Sequence, residues 1–522
     1  MLARITSLFG NLVIYGLGDT ATQIISFLLL PLYARYLSPS DYGVLALLLT
    51  VEVITKVIFR WGIDGAFMRL YFDCPDQPAR QRLASTQFFF LMAANGSLLL
   101  AALLGAGWMG HYLFSTHQYD WTLRLLLINT FIVGFYYLPF HVMRIEGRTP
   151  TFIALTFARS LATILMRLAL IIGLQSGLHG VVLSDIAVTS VFTLVLLRWF
   201  APLIRPVFST PLLRESLRFG LPRLPHGVAQ QVIGSSDRYV LDRFVSLHEV
   251  GLYSTGSSFG QGMKLFLSSF EQAWAPFYFG VMREPDAKAT FVRVTTYGIL
   301  ILALLATGLA ACARDVIFLL MPSAFHPAAD VVPWVGLGVA LQGVYLLTSI
   351  GLNITKHTEY YPVATGIAAA TSVLANLVLV PAFGIIGAAW ANAIAYGVLA
   401  AVSWRFSHRC FPMTYEVSRL GRVLAAAVLA LVASRMLVPP LEPLVGLVAH
   451  GTVVVAVFLG VLVLSRFFIP HEIEQMAKLV AHVRRRPVIE APSNATELAG
   501  EMVSTPTTDL AVEVEPDEST PD

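Results

Sequence analysis

The feature that most constrains this chain is a series of apolar runs, each about 20 residues long, following one another closely from Leu8 to Phe468. A run of about 20 apolar residues crosses the hydrocarbon core as a helix, and lipid tolerates only closed hydrogen-bonded structures. The runs predict an all-α polytopic membrane protein with about fourteen spans, over 8–33, 41–63, 83–107, 121–142, 150–173, 178–201, 214–236, 249–275, 293–313, 330–352, 359–381, 384–404, 420–438 and 444–468. Composition agrees: 56% of residues are hydrophobic and 13% charged, against roughly 25% charged in soluble proteins. The first run lacks a cleavage site and reads as a retained helix.

The loops are short, which leaves no room for a soluble catalytic domain. No Gly-Lys dipeptide occurs, so the phosphate-cradling nucleotide loop is absent. Cys74, Cys312 and Cys410 are scattered and carry no metal-ligand spacing. No cofactor, metal or nucleic-acid partner is expected. With the N-terminus in the cytoplasm, 23 of the 35 Lys and Arg fall on the cytoplasmic side and 6 on the other. The positive-inside rule therefore places both termini in the cytoplasm.

A second regularity lies inside the runs. Arg35, Ser38, Gly43 and Lys56 recur as Arg243, Ser246, Gly251 and Lys264, at a constant spacing of 208. Gly177-x-x-Gly180 likewise returns as Gly384-x-x-Gly387. The repeat unit is six helices, and an even number makes the two copies parallel. The expected divisions are a first lobe over 1–205, a second over 206–410, two further spans in 411–469, an amphipathic cytoplasmic segment over 470–486 and a disordered acidic tail over 487–522. That tail has nine acids and no Lys or Arg.

Charges inside the spans cost about 2.5–3.5 kcal/mol each at a helix centre and mark functional positions by default. The basic ones are Lys56, Arg60, Arg159, Arg167, Arg223 and Lys264. Glu52, Lys56, Arg60 and Asp64 recur every four residues, on one face of one predicted helix. Arg159 and Arg167 are eight apart and share a face. Pro222 and Pro225 flank Arg223 inside the seventh predicted span, where they read as a hinge. Asp19, Glu52, Asp185 and Glu271 are the acids able to couple to a proton or sodium gradient; a static ion pair, as of Glu52 with Lys56, is the competing reading. Trp61 and Trp274 are weak candidates for stacking on sugar. Gly256-Ser257-Ser258-Phe259-Gly260 fits a nucleophile-elbow pattern, but in mid-helix it reads as small-residue helix packing.

Leu37-Ser38-Pro39-Ser40-Asp41-Tyr42-Gly43 resembles the first-loop signature of the polysaccharide flippases of the multidrug/oligosaccharidyl-lipid/polysaccharide exporter superfamily. Ser236-Asp237-Arg238-Tyr239-Val240-Leu241 with Val250-Gly251-Leu252-Tyr253 resembles its second-half counterpart. The resemblance covers about residues 5–465. It implies two six-helix lobes opening alternately to the two sides of a bacterial inner membrane, with the last two spans grooved for a lipid tail. The implied cargo is an undecaprenyl-pyrophosphate-linked oligosaccharide for lipopolysaccharide or exopolysaccharide. Lys56 and Lys264 would then clamp the pyrophosphate from both lobes, helped by Arg60, Arg159, Arg167 and Arg223. Membrane lipids, a coupling H+ or Na+, and a glycan polymerase or glycosyltransferase are the implied partners. A cation-coupled drug exporter is the alternative on the same fold. A membrane glycosyltransferase or polymerase is the alternative as an enzyme, disfavoured by the short loops.

Overall fold

The computed structural model describes residues 27 and 29–468. By contact, the described residues up to 462 form one compact unit. Asp19, most of the first predicted span, the amphipathic segment and the acidic tail lie outside the described residues. Within the described residues the fold is helical throughout, and ten helices are long and apolar enough to cross a membrane.

The α-helices of the described residues, spanning or not, are in order α1 (Pro39–Arg60), α2 (Ile63–Asp73), α3 (Gln77–Phe114), α4 (Asp120–Val133), α5 (Tyr137–Ile145), α6 (Thr149–Leu168), α7 (Gly177–Phe200), α8 (Thr210–Gly220), α9 (Leu224–Phe244), α10 (Leu247–Gly260), α11 (Lys264–Val281), α12 (Ala287–Leu320), α13 (Val332–Thr348), α14 (Ile350–Ile354), α15 (Tyr360–Cys410), α16 (Val417–Leu437) and α17 (Pro443–Leu464). The 51 residues of α15 would extend for about 75 Å as one rod, more than twice the membrane core. It breaks at Gly384 (φ 56°, ψ −132°), a backbone shape open to glycine alone. The repeat-related Gly177 also has a positive φ, 54°.

Both copies of the repeated pattern start their helices with the same device. The Ser38 hydroxyl accepts from the Asp41 N–H while the Asp41 carboxylate accepts from the Ser38 N–H, and Ser246 and Glu249 repeat the arrangement on α10. Either Ser38→Ala or Ser246→Ala should cost about 1 kcal/mol, read as a fall in thermal midpoint in detergent.

These two capped ends meet. A side chain on Gly43 would strike the carbonyl oxygen of Leu247, and one on Gly251 would strike that of Pro39. Around this reciprocal contact α1 contributes Val44, Leu47, Leu48 and Val51, and the second half contributes Leu241, Val250, Tyr253, Val331 and Val335, to one apolar core. Gly256 and Gly260 lie within α10 and approach Ala328, Val331 and Val335 closely, as packing requires.

Two expectations need correction. The seventh span is not 214–236. Residues 210–220 form the separate helix α8, a 3-10 turn covers Leu221–Arg223, and α9 runs from Leu224 to Phe244. Pro222 and Pro225 sit at the 3-10 turn that joins α8 to α9, inside one continuous helical stretch over 210–244, where their missing N–H groups interrupt the helical ladder. Arg214, Glu215 and Arg218 make α8 amphipathic, and it docks on the first half: Gln87 Nε2 donates to Ser216 Oγ (2.9 Å), and Arg69 lies 5.2 Å over the Phe219 ring.

The face Glu52–Lys56–Arg60–Asp64 is also interrupted. Trp61 (φ 52°) and Gly62 (φ 66°) turn a left-handed corner between α1 and α2, leaving Asp64 on a different helix from the other three. Trp61 Nε1 donates to Asn95 Oδ1 (2.9 Å), Asn95 Nδ2 donates to the Phe59 carbonyl (2.9 Å), and Gly62 abuts Gly220. The corner is thus fixed by polar bonds that periodicity cannot reveal.

Candidate functional site

Two polar cavities lie inside the helical unit. The first, of about 330 Å³, is built in the first half from α1, α4, α6 and α7 and is lined by Glu52, Lys56, Asn129, Arg159, Arg167 and Asp185. The spacing of eight along α6 does bring Arg159 and Arg167 to one wall. Glu52 is buried and pairs with Lys56 at 2.5 Å. Arg167 grips Asp185 through Nε (3.2 Å) and Nη2 (2.8 Å to each oxygen). Arg159 instead lies 4.7 Å over the Tyr136 ring, with no carboxylate within ion-pair range among the described residues. This cavity therefore holds three cations and two anions.

One buried acceptor there, the Asn129 side-chain oxygen on a residue 4% exposed, has no hydrogen-bond partner among the described residues. Buried polar atoms are rarely left unpaired, so the cavity is built to be filled by water or a polar ligand. Arg167→Ala would strand Asp185 and should cost about 2 kcal/mol. The check is a thermal melt in detergent, where Arg167→Gln with Asp185→Asn should recover most of the loss.

The second cavity, of about 500 Å³, lies between the halves. α1 supplies Ala46, Leu49, Thr50 and Val53; the second half supplies Gln230, Gln231, Arg238, Ser254, Gln261, Lys264 and Gln342. The Lys264 ammonium donates to Gln261 Oε1 (3.2 Å), one turn away across the 3-10 turn Gln261–Met263. No carboxylate pairs with it among the described residues. Arg238 is neutralised by Asp237 (3.3 Å) and also donates to the Gly234 carbonyl (3.1 Å), while the Tyr253 hydroxyl donates to the other Asp237 oxygen. The Ser254 hydroxyl and the Gln342 side-chain oxygen are buried without partners. Leu49 lines both cavities.

The two repeat-related lysines thus face neighbouring polar chambers, not one, and their electrostatics differ: Lys56 is paired and Lys264 is not. Arg60 lines neither chamber; it lies 3.8 Å from Asp64 and 4.4 Å over the Tyr137 ring. The side chain of Arg223 lies outside the described residues. Glu271 is exposed on α11 and forms no ion pair among the described residues. Trp61 and Trp274 serve packing: Trp274 is 3% exposed, stacked between Phe270 and Phe277. Arg238 was missed because the predicted seventh span ended at 236 and put it at the outer surface, whereas Gln230, Gln231 and Gln342 lay inside predicted spans but carry no charge to mark them.

The described residues form a helical, multi-pass membrane protein with polar chambers in its interior, and solved structures share this fold. Lipid II flippase MurJ in its inward closed conformation superposes with a TM-score of 0.69 at 12% identity, over 87% of this chain and 99% of that one. An inward-facing multidrug resistance MATE family transporter of the MOP superfamily gives 0.63 at 13% identity, over 78% and 95%. No curated protein matches the chain. The family model described as polysaccharide biosynthesis protein matches residues 32–330. The protein belongs to that polysaccharide biosynthesis family.

Proposed function

We propose that the protein is a flippase that carries a lipid-linked oligosaccharide across the bacterial inner membrane by alternating access, with both termini in the cytoplasm. The observation that carries this reading is the pair of adjoining chambers, each holding one cation in excess of its anions: Arg159 in the first, Lys264 in the second. An anionic headgroup supplies the missing countercharge, and a pyrophosphate offers several acceptor oxygens to a lysine with three donors. The glutamines and the unpaired hydroxyl around Lys264 suit the sugar that follows. On this reading the carrier is undecaprenyl pyrophosphate, the product is lipopolysaccharide or exopolysaccharide, and the glycosyltransferases and polymerase of that pathway act before and after it. On this reading the protein acts as a transporter and not an enzyme, as do the flippase and the transporter whose structures it resembles.

A second reading, a cation-coupled exporter of small molecules, is favoured by the MATE likeness and by the two carboxylates, Glu52 and Asp185, in the first chamber. On either reading these two are the acids placed to exchange H+ or Na+. A deletion strain separates the cargoes. The flippase reading expects loss of surface glycan with unchanged drug susceptibility; intact glycan with raised susceptibility would select the exporter.

A further inference from the structure

A third cavity, of about 750 Å³, lies in the second half apart from both chambers, on the side where the Ser38 and Ser246 caps meet; Phe325 beside it meets Tyr42 at 5.3 Å between ring centroids. Its walls come from the end of α12, the 3-10 segment Ser323–Asp330, the start of α13 and the end of α16. Three cation-forming side chains face it, Arg314, His326 and Arg435, against one lining acid, Asp330.

These groups are held in place without a direct ion pair among the described residues, Asp315 acting on Arg314 and Arg435 only from beyond contact. The Phe318 ring is stacked on His326 at 3.9 Å and carries the Arg314 guanidinium at 5.0 Å. Arg435 reaches the Ala310 carbonyl at 3.5 Å. Neither guanidinium has a carboxylate within 4 Å among the described residues. The nearby Asp315 is turned toward His450 (3.8 Å), which is itself bonded to Ser434 (2.7 Å). Trp334 completes the wall, braced edge-on by Trp390 at 5.6 Å. Two guanidiniums with free donor edges and an aromatic plane match the oxygens of a phosphate ester.

The surroundings say what bears that phosphate. Leu431 and Arg435, four apart, turn one stripe of α16 into the cavity. The neighbouring stripe, Val428, Val432 and Met436, is 54%, 48% and 80% exposed in a helix that spans the membrane by length and composition. A headgroup seated on Arg314 and Arg435 would leave its acyl chains along that apolar stripe.

We infer that this cavity binds the phosphate of an anionic lipid headgroup, at a site separate from the transport chambers. It does not depend on the identity of the cargo. The test is native mass spectrometry of the full chain in detergent with phosphatidylglycerol, phosphatidylcholine or inorganic phosphate. Phosphatidylglycerol should be retained over phosphatidylcholine, and Arg314→Gln with Arg435→Gln should weaken it by about tenfold or more. Arg405→Gln with Arg409→Gln, at the opposite end of α15, should leave it unchanged, and millimolar inorganic phosphate should not displace it. Equal retention of both lipids by the unaltered protein would overturn the inference without recourse to any variant. So would unchanged binding in the Arg314/Arg435 variant, or displacement by inorganic phosphate, which would make the site one for a soluble anion. Lys264→Ala should leave this binding intact, so a failure here and a failure of the flippase reading are separable.

Discussion

Lys264→Ala should abolish complementation of the glycan defect while leaving the protein folded and in the membrane. The ammonium has one neutral partner, Gln261, and no paired carboxylate among the described residues, so its removal strands no buried charge there. What is lost is its interaction with cargo. A hydrogen bond to a charged group contributes about 1.5–3 kcal/mol, or roughly 10- to 150-fold in affinity. Lys264→Arg keeps the charge and should retain part of the activity. Lys56→Ala should behave differently although the repeat makes the two positions equivalent: it leaves the buried Glu52 unpaired, so a loss of stability accompanies the loss of function. Equal thermal midpoints for the two alanine variants, with equal residual glycan, would return both lysines to the same role.

Gly43→Leu should open the seam between the halves at the capped end. No rotamer avoids the Leu247 carbonyl, because the obstruction is backbone and begins at Cβ; Gly251→Leu meets Pro39 in the same way. Overpacking of this kind costs about 1–3 kcal/mol, enough to shift a closed-to-open ratio by about five- to 150-fold. The readout is an introduced cysteine at Ser258, which lines the chamber between the halves. Its labelling by an impermeant maleimide from the capped side should rise by that factor in either leucine variant, with transport lost. Unchanged labelling in a normally expressed variant would mean that the glycine contact does not gate the chamber.

Most of the architecture was legible from apolar run length, because lipid leaves a chain of this composition few alternatives. The capping residues were legible too, since Ser38 with Asp41 and Ser246 with Glu249 act through local chemistry. Arg159 and Arg167 were placed together by helical periodicity alone. Three things escaped. Hydropathy does not separate the amphipathic α8 from α9, which follows it, and the error displaced Arg238. The corner at Trp61 and Gly62 rests on a bond to Asn95, distant in sequence. The different electrostatics of Lys56 and Lys264 depend on which acid is within reach, and a spacing of 208 carries no information about that.

The central claim is that an anionic lipid-linked saccharide passes through the two chambers at their junction. A photo-crosslinking amino acid at position 49, where they meet, tests it in one measurement. The account predicts ultraviolet-dependent capture of a pyrophosphate-linked saccharide lipid by the otherwise unaltered protein, and loss of that capture when Lys264→Ala is added. Capture that persists undiminished in the Lys264→Ala background, or a site that takes only neutral or cationic small molecules, would contradict it.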